Sequence, residues 1–140
     1  MSKETTAQWS FKAIFVWLIC VNLLFAISEG FFAKDEELSL AKDEFALYEV
    51  EGKSLYFRWT LYINKGLVMH YAYDGFPYQN VLYTDYKRNG FKIKLKQSVD
   101  DHMEPPYFMV IFKEMNLEAK KADFSVHLYD PIGSIKLNRK

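Results

Sequence analysis

The sequence predicts an all-β fold, an antiparallel sandwich of the immunoglobulin-like type with seven to eight short strands, preceded by one N-terminal hydrophobic helix. Apolar side chains recur at every second residue in several segments after residue 45, which is the period of a half-buried strand. Turn-forming residues separate these segments, and the longest uncharged run precedes them all. The Cys…Trp…Cys spacing of true immunoglobulin domains is absent, so the prediction is limited to the general architecture.

The N-terminal segment favours export from the cytoplasm. Residues 13–27 carry no charge, and Asn22 is the most polar of them. A soluble core helix of this length would show a polar face about every 3.6 residues, and this run does not. Lys3 and Lys12 precede the run, and mostly acidic residues follow it. Because positive residues stay inside, this pattern places the bulk of the chain outside the cytoplasm.

Two forms of export fit the same segment. As a signal peptide, Ala26-Ile27-Ser28 is a small-x-small site, and cleavage after Ser28 would release a secreted protein. As a single-pass anchor of an inner membrane, residues 1–33 include a helix of about 21 residues, enough to cross roughly 30 Å of hydrocarbon. The Phe31-Phe32 pair favours the anchor, and the bulk is then periplasmic or extracellular.

Residues 34–44 are predicted to form a juxtamembrane stalk. The stretch contains AKDE twice and is rich in Ala, Lys, Glu and Leu, which favour helix. A single helical face would carry Leu38, Ala41, Phe45 and Tyr48. The exported β domain is therefore predicted to comprise residues 45–140.

The first clear strand is KSLYFRWTLYI, residues 53–63. Its alternation places one apolar set on the core face: Leu55, Phe57, Trp59, Leu61 and Ile63. Asn64-Lys65-Gly66 follows and predicts a three-residue hairpin loop with glycine in the left-handed position.

Asn89-Gly90 predicts a second hairpin with a type I′ turn, because both central residues of that turn need positive φ. The flanking segments VLYTDYKR and FKIKLKQ would pair across it. In this register one set of side chains faces inward: Phe91, Ile93 and Leu95. The lysines between them face solvent.

Two further strands complete the predicted domain. PYFMVIFKEM is apolar on both faces, which indicates a central strand covered on both sides. ADFSVHLYD alternates, with Phe124, Val126 and Leu128 facing inward. A short strand, SIKLN, ends the domain.

Composition argues against several kinds of chemistry. Cys20 is the only cysteine and lies in the apolar segment, so the β domain has no disulfide or thiolate metal site. The formal net charge is zero, which gives no attraction to nucleic acid. The three histidines match no metal spacing, and no nucleophile motif is present. We therefore expect no catalytic residues, no metal and no cofactor.

Two charged segments have simple structural interpretations. The loop DDHME, residues 100–104, lacks the glycine and ligand spacing of a calcium loop, so a solvated acidic turn is expected. A basic set comprises Lys87, Arg88, Lys92, Lys94 and Lys96. Lysines on an exposed strand discourage edge-to-edge aggregation, and this role is favoured over contact with anionic lipid headgroups.

The best candidate for a binding surface is YAYDGFPYQNVLYTDY, residues 71–86. Aromatic rings flank a Gly/Pro turn there, and tyrosine combines contact area with a polar tip. The predicted contact residues are Tyr71, Tyr73, Phe76, Tyr78 and Tyr83. Phe76 is expected at a loop tip.

These observations predict a non-catalytic, membrane-anchored or exported envelope protein whose β domain binds protein partners in an assembly. The alternative is a small barrel that binds an apolar ligand with its inward aromatic faces. A hydrolase built from the scattered His and Asp residues is less favoured.

Overall fold

A computed structural model describes residues 33–84, 87–98 and 100–140. The predictions made for residues 1–32, namely the hydrophobic helix and the cleavage site at Ser28, lie outside the described residues. Among the described residues, no helix is both long and apolar enough to traverse a bilayer.

The described residues form nine strands. They are β1 (Lys34–Ala41), β2 (Ala46–Val50), β3 (Lys53–Ile63), β4 (Gly66–Tyr73), β5 (Phe76–Tyr83), β6 (Gly90–Lys94), β7 (Tyr107–Asn116), β8 (Lys121–Tyr129) and β9 (Leu137–Arg139).

The strands make two antiparallel sheets, which confirms the all-β prediction. One sheet has the order β1-β8-β7-β6, and the other has the order β5-β4-β3-β2-β9. Strands β2 to β5 and β6 to β8 follow one another as neighbours within a sheet. Each of these two meanders gains one further strand, β1 or β9, whose neighbour in sequence lies in the other sheet. The two-sheet part of the prediction is thus confirmed, and the immunoglobulin-like part stays a prediction.

Aromatic side chains fill the space between the two sheets. Phe57 of β3 and Phe124 of β8 are fully buried, with ring centroids 5.6 Å apart. Tyr48 of β2 packs edge-on against Phe108 of β7 at 5.1 Å. On one side of the sandwich, Glu36 of β1 accepts a hydrogen bond from the Tyr48 hydroxyl at 2.9 Å and pairs with Arg139 of β9.

The stalk predicted for residues 34–44 is wrong, because this stretch contains β1. Leu38 and Leu40 are buried while Ser39 between them is exposed, the alternation of a strand and not of a helix. All eight residues of β1 have partners on β8. Helix propensity is a weak preference, and pairing and burial override it here.

A β-bulge divides β3 and corrects the prediction that its whole length has one inward face. Leu55, Phe57 and Trp59 are buried as predicted. The pairing register with β4 then shifts between Trp59 and Leu61. One extra residue exchanges the two faces. Leu61 and Ile63 consequently face outward and are 48% and 57% exposed.

The β3–β4 hairpin forms as predicted, with a shorter turn. Asn64 and Lys65 have φ angles of 50° and 63°, as a two-residue type I′ turn requires. Gly66 is not in the left-handed region but is the first residue of β4, paired with Ile63.

The hairpin predicted at Asn89-Gly90 does not form. The strands before and after this pair lie in different sheets, and neither residue has a positive φ. Gly90 belongs to β6 and pairs with Ile111 of β7. The carbonyl of Asn89 accepts a 2.7 Å hydrogen bond from the Phe112 amide.

The inward faces predicted for the later strands are correct. The residues Phe91, Ile93, Leu95, Phe124, Val126 and Leu128 are all buried. β7 lies between β6 and β8, as expected of a central strand. Met109 and Ile111 on its other face are half-buried, so the predicted cover on both sides is only partial.

Candidate binding surface

Four of the five predicted contact residues lie together on the inner face of the β4–β5 hairpin. Asp74 and Gly75 form its turn, with φ angles of 52° and 82°. Cross-strand pairing then places Tyr73 opposite Phe76 and Tyr71 opposite Tyr78. Directly opposed residues share a face. We call this group the aromatic shelf: Tyr71, Tyr73, Phe76 and Tyr78.

A stack of three rings anchors the shelf to the second sheet. The Tyr71 ring lies 4.0 Å from that of Phe91 on β6, with an interplanar angle of 9°. On its other side Tyr71 stacks on Tyr78 at 5.3 Å and 16°. Offset stacked rings attract beyond the area that they bury. The buried Tyr71 therefore holds Tyr78 in one orientation.

Polar groups also fix the shelf. Asn80 donates a 3.1 Å hydrogen bond from Nδ2 to the Tyr71 hydroxyl. The Tyr73 hydroxyl donates to the carbonyl of Leu95 at 3.3 Å. Burial raises the pKa of Tyr71 and of Tyr73 above the ordinary value of tyrosine. Both hydroxyls therefore stay protonated at neutral pH, with Tyr71 accepting from Asn80 and Tyr73 donating to Leu95.

The outer end of the shelf is open to solvent. Phe76 is 66% exposed and Tyr78 is 52% exposed, although both lie on the face that points toward the other sheet. The contact between Tyr71 and Phe91 aligns β4 with β6, and β6 is the last strand of the smaller sheet. Strand β5 therefore projects beyond it, and its inner face is uncovered at Phe76 and Tyr78, whereas Leu82 on the same face is buried.

The prediction that Phe76 lies at a loop tip is wrong. It is the first residue of β5, directly after the two-residue turn. A salt bridge of 3.0 Å between Lys53 and Asp74 lies beside this turn. The turn and the strand pairing thus hold Phe76 at a fixed position in a hairpin.

Tyr83, the fifth predicted residue, lies on the opposite face. It pairs with Gly66, and a Cβ at that glycine would be only 2.8 Å from Tyr83 Cε1. The tyrosine ring thus occupies the space above Gly66. Side chains alternate between the two faces along a strand. Tyr83 is an odd number of residues from Phe76 and Tyr78 in β5, so it lies on the other face.

An outer apolar patch around Tyr83 was not predicted from the sequence. Two rows cross three strands: Leu61, Val68 and Val81 form one, and Ile63, Gly66 and Tyr83 form the other. Exposed hydrophobic groups at this scale often mark interaction sites. The signal was hidden because the bulge in β3 turns Leu61 and Ile63 outward.

The histidines and the acidic loop show no common site. His70 alternates with the core residues of β4, and His127 alternates with those of β8, so they lie on opposite outer faces. Asp100 accepts a hydrogen bond from the His102 amide, and Glu104 pairs with Lys92 at 3.3 Å. Among the described residues no group of three His, Cys, Asp or Glu side chains is placed to hold a metal ion.

The predicted basic set lies partly on an edge strand. Lys92 and Lys94 are exposed on β6. Lys92 Nζ also sits 4.1 Å above the ring of Tyr107, and Lys96 pairs with Glu51 at 2.8 Å. Lys92 and Lys96 therefore already contact side chains of the same domain.

No protein-family model, curated protein or solved structure matches the chain.

Proposed function

We propose that this is a non-catalytic protein of the cell envelope whose β domain binds protein partners through the aromatic shelf. The N-terminal segment would anchor it in the inner membrane with the domain outside the cytoplasm, or would be removed after Ser28. The observation that carries the binding proposal is the pair of exposed rings, Phe76 and Tyr78, held on a rigid hairpin. Export rests on the charge and apolar pattern of residues 1–33.

Exposed aromatic rings in fixed positions suit protein recognition. Such rings supply much of the binding energy of protein interfaces, and a ring that is already ordered loses little entropy on binding. Tyr78 is ordered by its stack on Tyr71, and Phe76 by its place after the turn. The shelf is therefore preorganised for contact with an apolar side chain of a partner.

Affinity capture of the full-length chain from detergent extracts, followed by mass spectrometry, tests this proposal. Phe76→Ala should remove co-purifying proteins, because an aromatic anchor contributes about 2 kcal/mol or more. The control is Ile132→Ala, a comparably exposed apolar residue in the loop after β8. Circular dichroism should show both variants folded. Retention of every partner by a folded Phe76→Ala chain would exclude the shelf.

A second candidate function, binding of a small apolar ligand, is favoured by one groove. It has a volume of about 330 Å³, and its apolar lining includes Trp59, Tyr62, Met115 and Leu117. A volume of this order is at the lower end of small-molecule sites. An apolar fluorescent dye should then bind the chain and be displaced by a fatty acid, and Met115→Glu should abolish both signals. Dye binding that Met115→Glu leaves unchanged would reject this candidate.

A further inference from the structure

We propose that the outer edge of β5 is a self-association site, at which a second copy of this chain adds its own β5 in antiparallel pairing. The two five-stranded sheets would then join into one continuous sheet. This inference does not rest on the proposed function, because it concerns the backbone edge of β5, whereas the shelf is formed by side chains on its inner face.

Among the strands that end the two described sheets, β5 alone is both long and uncharged. The other three are β1, β6 and β9. β1 has four charged residues, β6 is five residues long and carries two lysines, and β9 has three residues. Short length and charged side chains protect a sheet edge from pairing. β5 has eight residues, FPYQNVLY, without a charge.

The backbone of β5 presents hydrogen-bonding groups to this edge. Tyr73 and Phe76 flank the two-residue turn, so the backbone groups of Phe76 face β4. Alternate residues then direct their N–H and C=O groups away from β4. Tyr83, an odd number of residues after Phe76, fits this alternation: its amide points away from β4 and donates to the carbonyl of Arg88 at 3.2 Å. Gln79 and Val81 have the same parity, and no described strand pairs with their side of β5.

Pro77 limits the number of backbone hydrogen-bond donors on the outer edge of β5. It has no N–H group, and it belongs to the residues whose backbone points outward. A proline there costs the β4–β5 ladder nothing. The outward donors that remain for a second strand are Gln79 and Val81, each with a carbonyl acceptor beside it.

The strand is suited to pairing with itself. Two antiparallel copies are related by a two-fold axis perpendicular to the sheet, and opposed residues lie on the same face. The axes that keep most of β5 paired pass through Gln79 or through Asn80, at the middle of the strand. In both registers uncharged residues oppose uncharged residues. The formal net charge of the chain is zero, so no long-range repulsion separates two copies.

Pairing would also extend the outer apolar patch. Val81 ends the row that contains Leu61 and Val68, and it is 41% exposed. A second β5 would cover the side of Val81 that faces the edge. The hydrogen bonds and the apolar contacts thus point to the same occupant, a second copy.

Cysteine cross-linking of the full-length chain in detergent micelles tests the pairing. In a Cys20→Ser background, one cysteine is placed at Gln79 or at Asn80. Opposed Cα atoms in an antiparallel pair are about 4.5–5.5 Å apart, which a disulfide can span. We expect a disulfide-linked dimer from one of these two positions. A cysteine at Glu37, exposed on the charged edge strand β1, is the control and should remain monomeric.

Sedimentation in micelles supplies an independent measurement. Gln79→Pro removes an outward donor and should convert a dimer to a monomer with its circular dichroism retained. If that variant does not fold, Val81→Lys serves instead, with Leu117→Lys as the control of equal charge at another exposed apolar residue.

A monomeric unmodified chain, equal cross-linking at Glu37, or a dimer that survives Val81→Lys would overturn the proposal. Phe76→Ala should leave the dimer intact, so loss of partners and loss of the dimer can be told apart.

Discussion

At Gly90 the fold leaves no room for a side chain. A Cβ there would lie 2.6 Å from the carbonyl oxygen of Val110 on the neighbouring strand, and a backbone atom cannot move aside as a side chain can. We expect Gly90→Val to lower the free energy of unfolding by about 1–3 kcal/mol, as overpacking does elsewhere. Urea denaturation measures this change.

Asn89→Ala shows whether Gly90→Val destabilises the fold through this steric clash or by breaking a type I′ turn. A type I′ turn would need positive φ at position 89 as well, so alanine there would be costly. In the structure Asn89 lies just before β6 and its φ is not positive, so we expect a change within about 0.5 kcal/mol. A loss as large as that of Gly90→Val would support the turn.

Leu61 and Leu55 test the bulge in β3 with one substitution. Leu55 is fully buried and Leu61 is 48% exposed, although the simple alternation gives them the same face. Leu55→Ala should therefore cost about 2–5 kcal/mol, whereas Leu61→Ala should cost about 0.5 kcal/mol or less. Equal losses in thermal or urea unfolding would mean that the strand continues without a bulge.

The sequence shows which residues of β3 alternate but not where an extra residue enters. Leu55 and Leu61 are equivalent in a period of two, and Thr60 between Trp59 and Leu61 carries no mark of a bulge. The shift is determined by the pairing with β4, which is a property of two strands together. The outer apolar patch could not be predicted for the same reason, because Leu61 and Ile63 face outward only after this shift.

Among the elements, β1 has the strongest conflict between propensity and structure. Its composition favours helix, but Leu40 is 2% exposed in the core and its carbonyl accepts the indole N–H of Trp59 at 2.8 Å. Leu40→Ala should cost about 2–4 kcal/mol, measured by urea unfolding. Ser39→Ala, on the exposed face of the same strand, should be near neutral. A stalk outside the domain would give no difference between the two.

The hairpin predictions separate local information from non-local information. In the described part of the chain, three two-residue turns have positive φ at both central residues: Glu51-Gly52, Asn64-Lys65 and Asp74-Gly75. The latter two were recognised as breaks between strands. The pair with the most favourable turn sequence, Asn89-Gly90, lies where the chain passes from one sheet to the other. A turn needs two strands that pair, and sheet membership is not encoded in a dipeptide.

At the scale of the molecule, the unequal sheets create the candidate site. The tyrosine-rich sequence predicted which residues to examine, but not that Tyr71 belongs to the core while Tyr78 is open. That difference arises because a sheet of five strands faces a sheet of four. Such an overhang depends on how many strands each sheet recruits, including β1 and β9. Neither strand was predicted with its correct partner.

Export is the property of the whole chain on which the proposed function depends. The uncharged run of residues 13–27, with lysines before it and acidic residues after it, predicts that residues 34–140 lie outside the cytoplasm. An enzyme that becomes active only after export, fused through a flexible linker after Lys140, should therefore be active. A reporter that functions only in the cytosol should be silent at the same position, and its activity would contradict the envelope proposal.

Anchor and cleaved signal then differ in two measurements on the exported protein. A cleaved chain begins at Glu29 by N-terminal sequencing and appears in the soluble fraction. An anchored chain keeps its first residues and is extracted only by detergent, as about 21 residues across a bilayer require. Replacing Ala26 and Ser28 with bulky residues should block cleavage but should leave an anchor unaffected. We expect the anchored result, because Phe31 and Phe32 extend the apolar segment past the cleavage site.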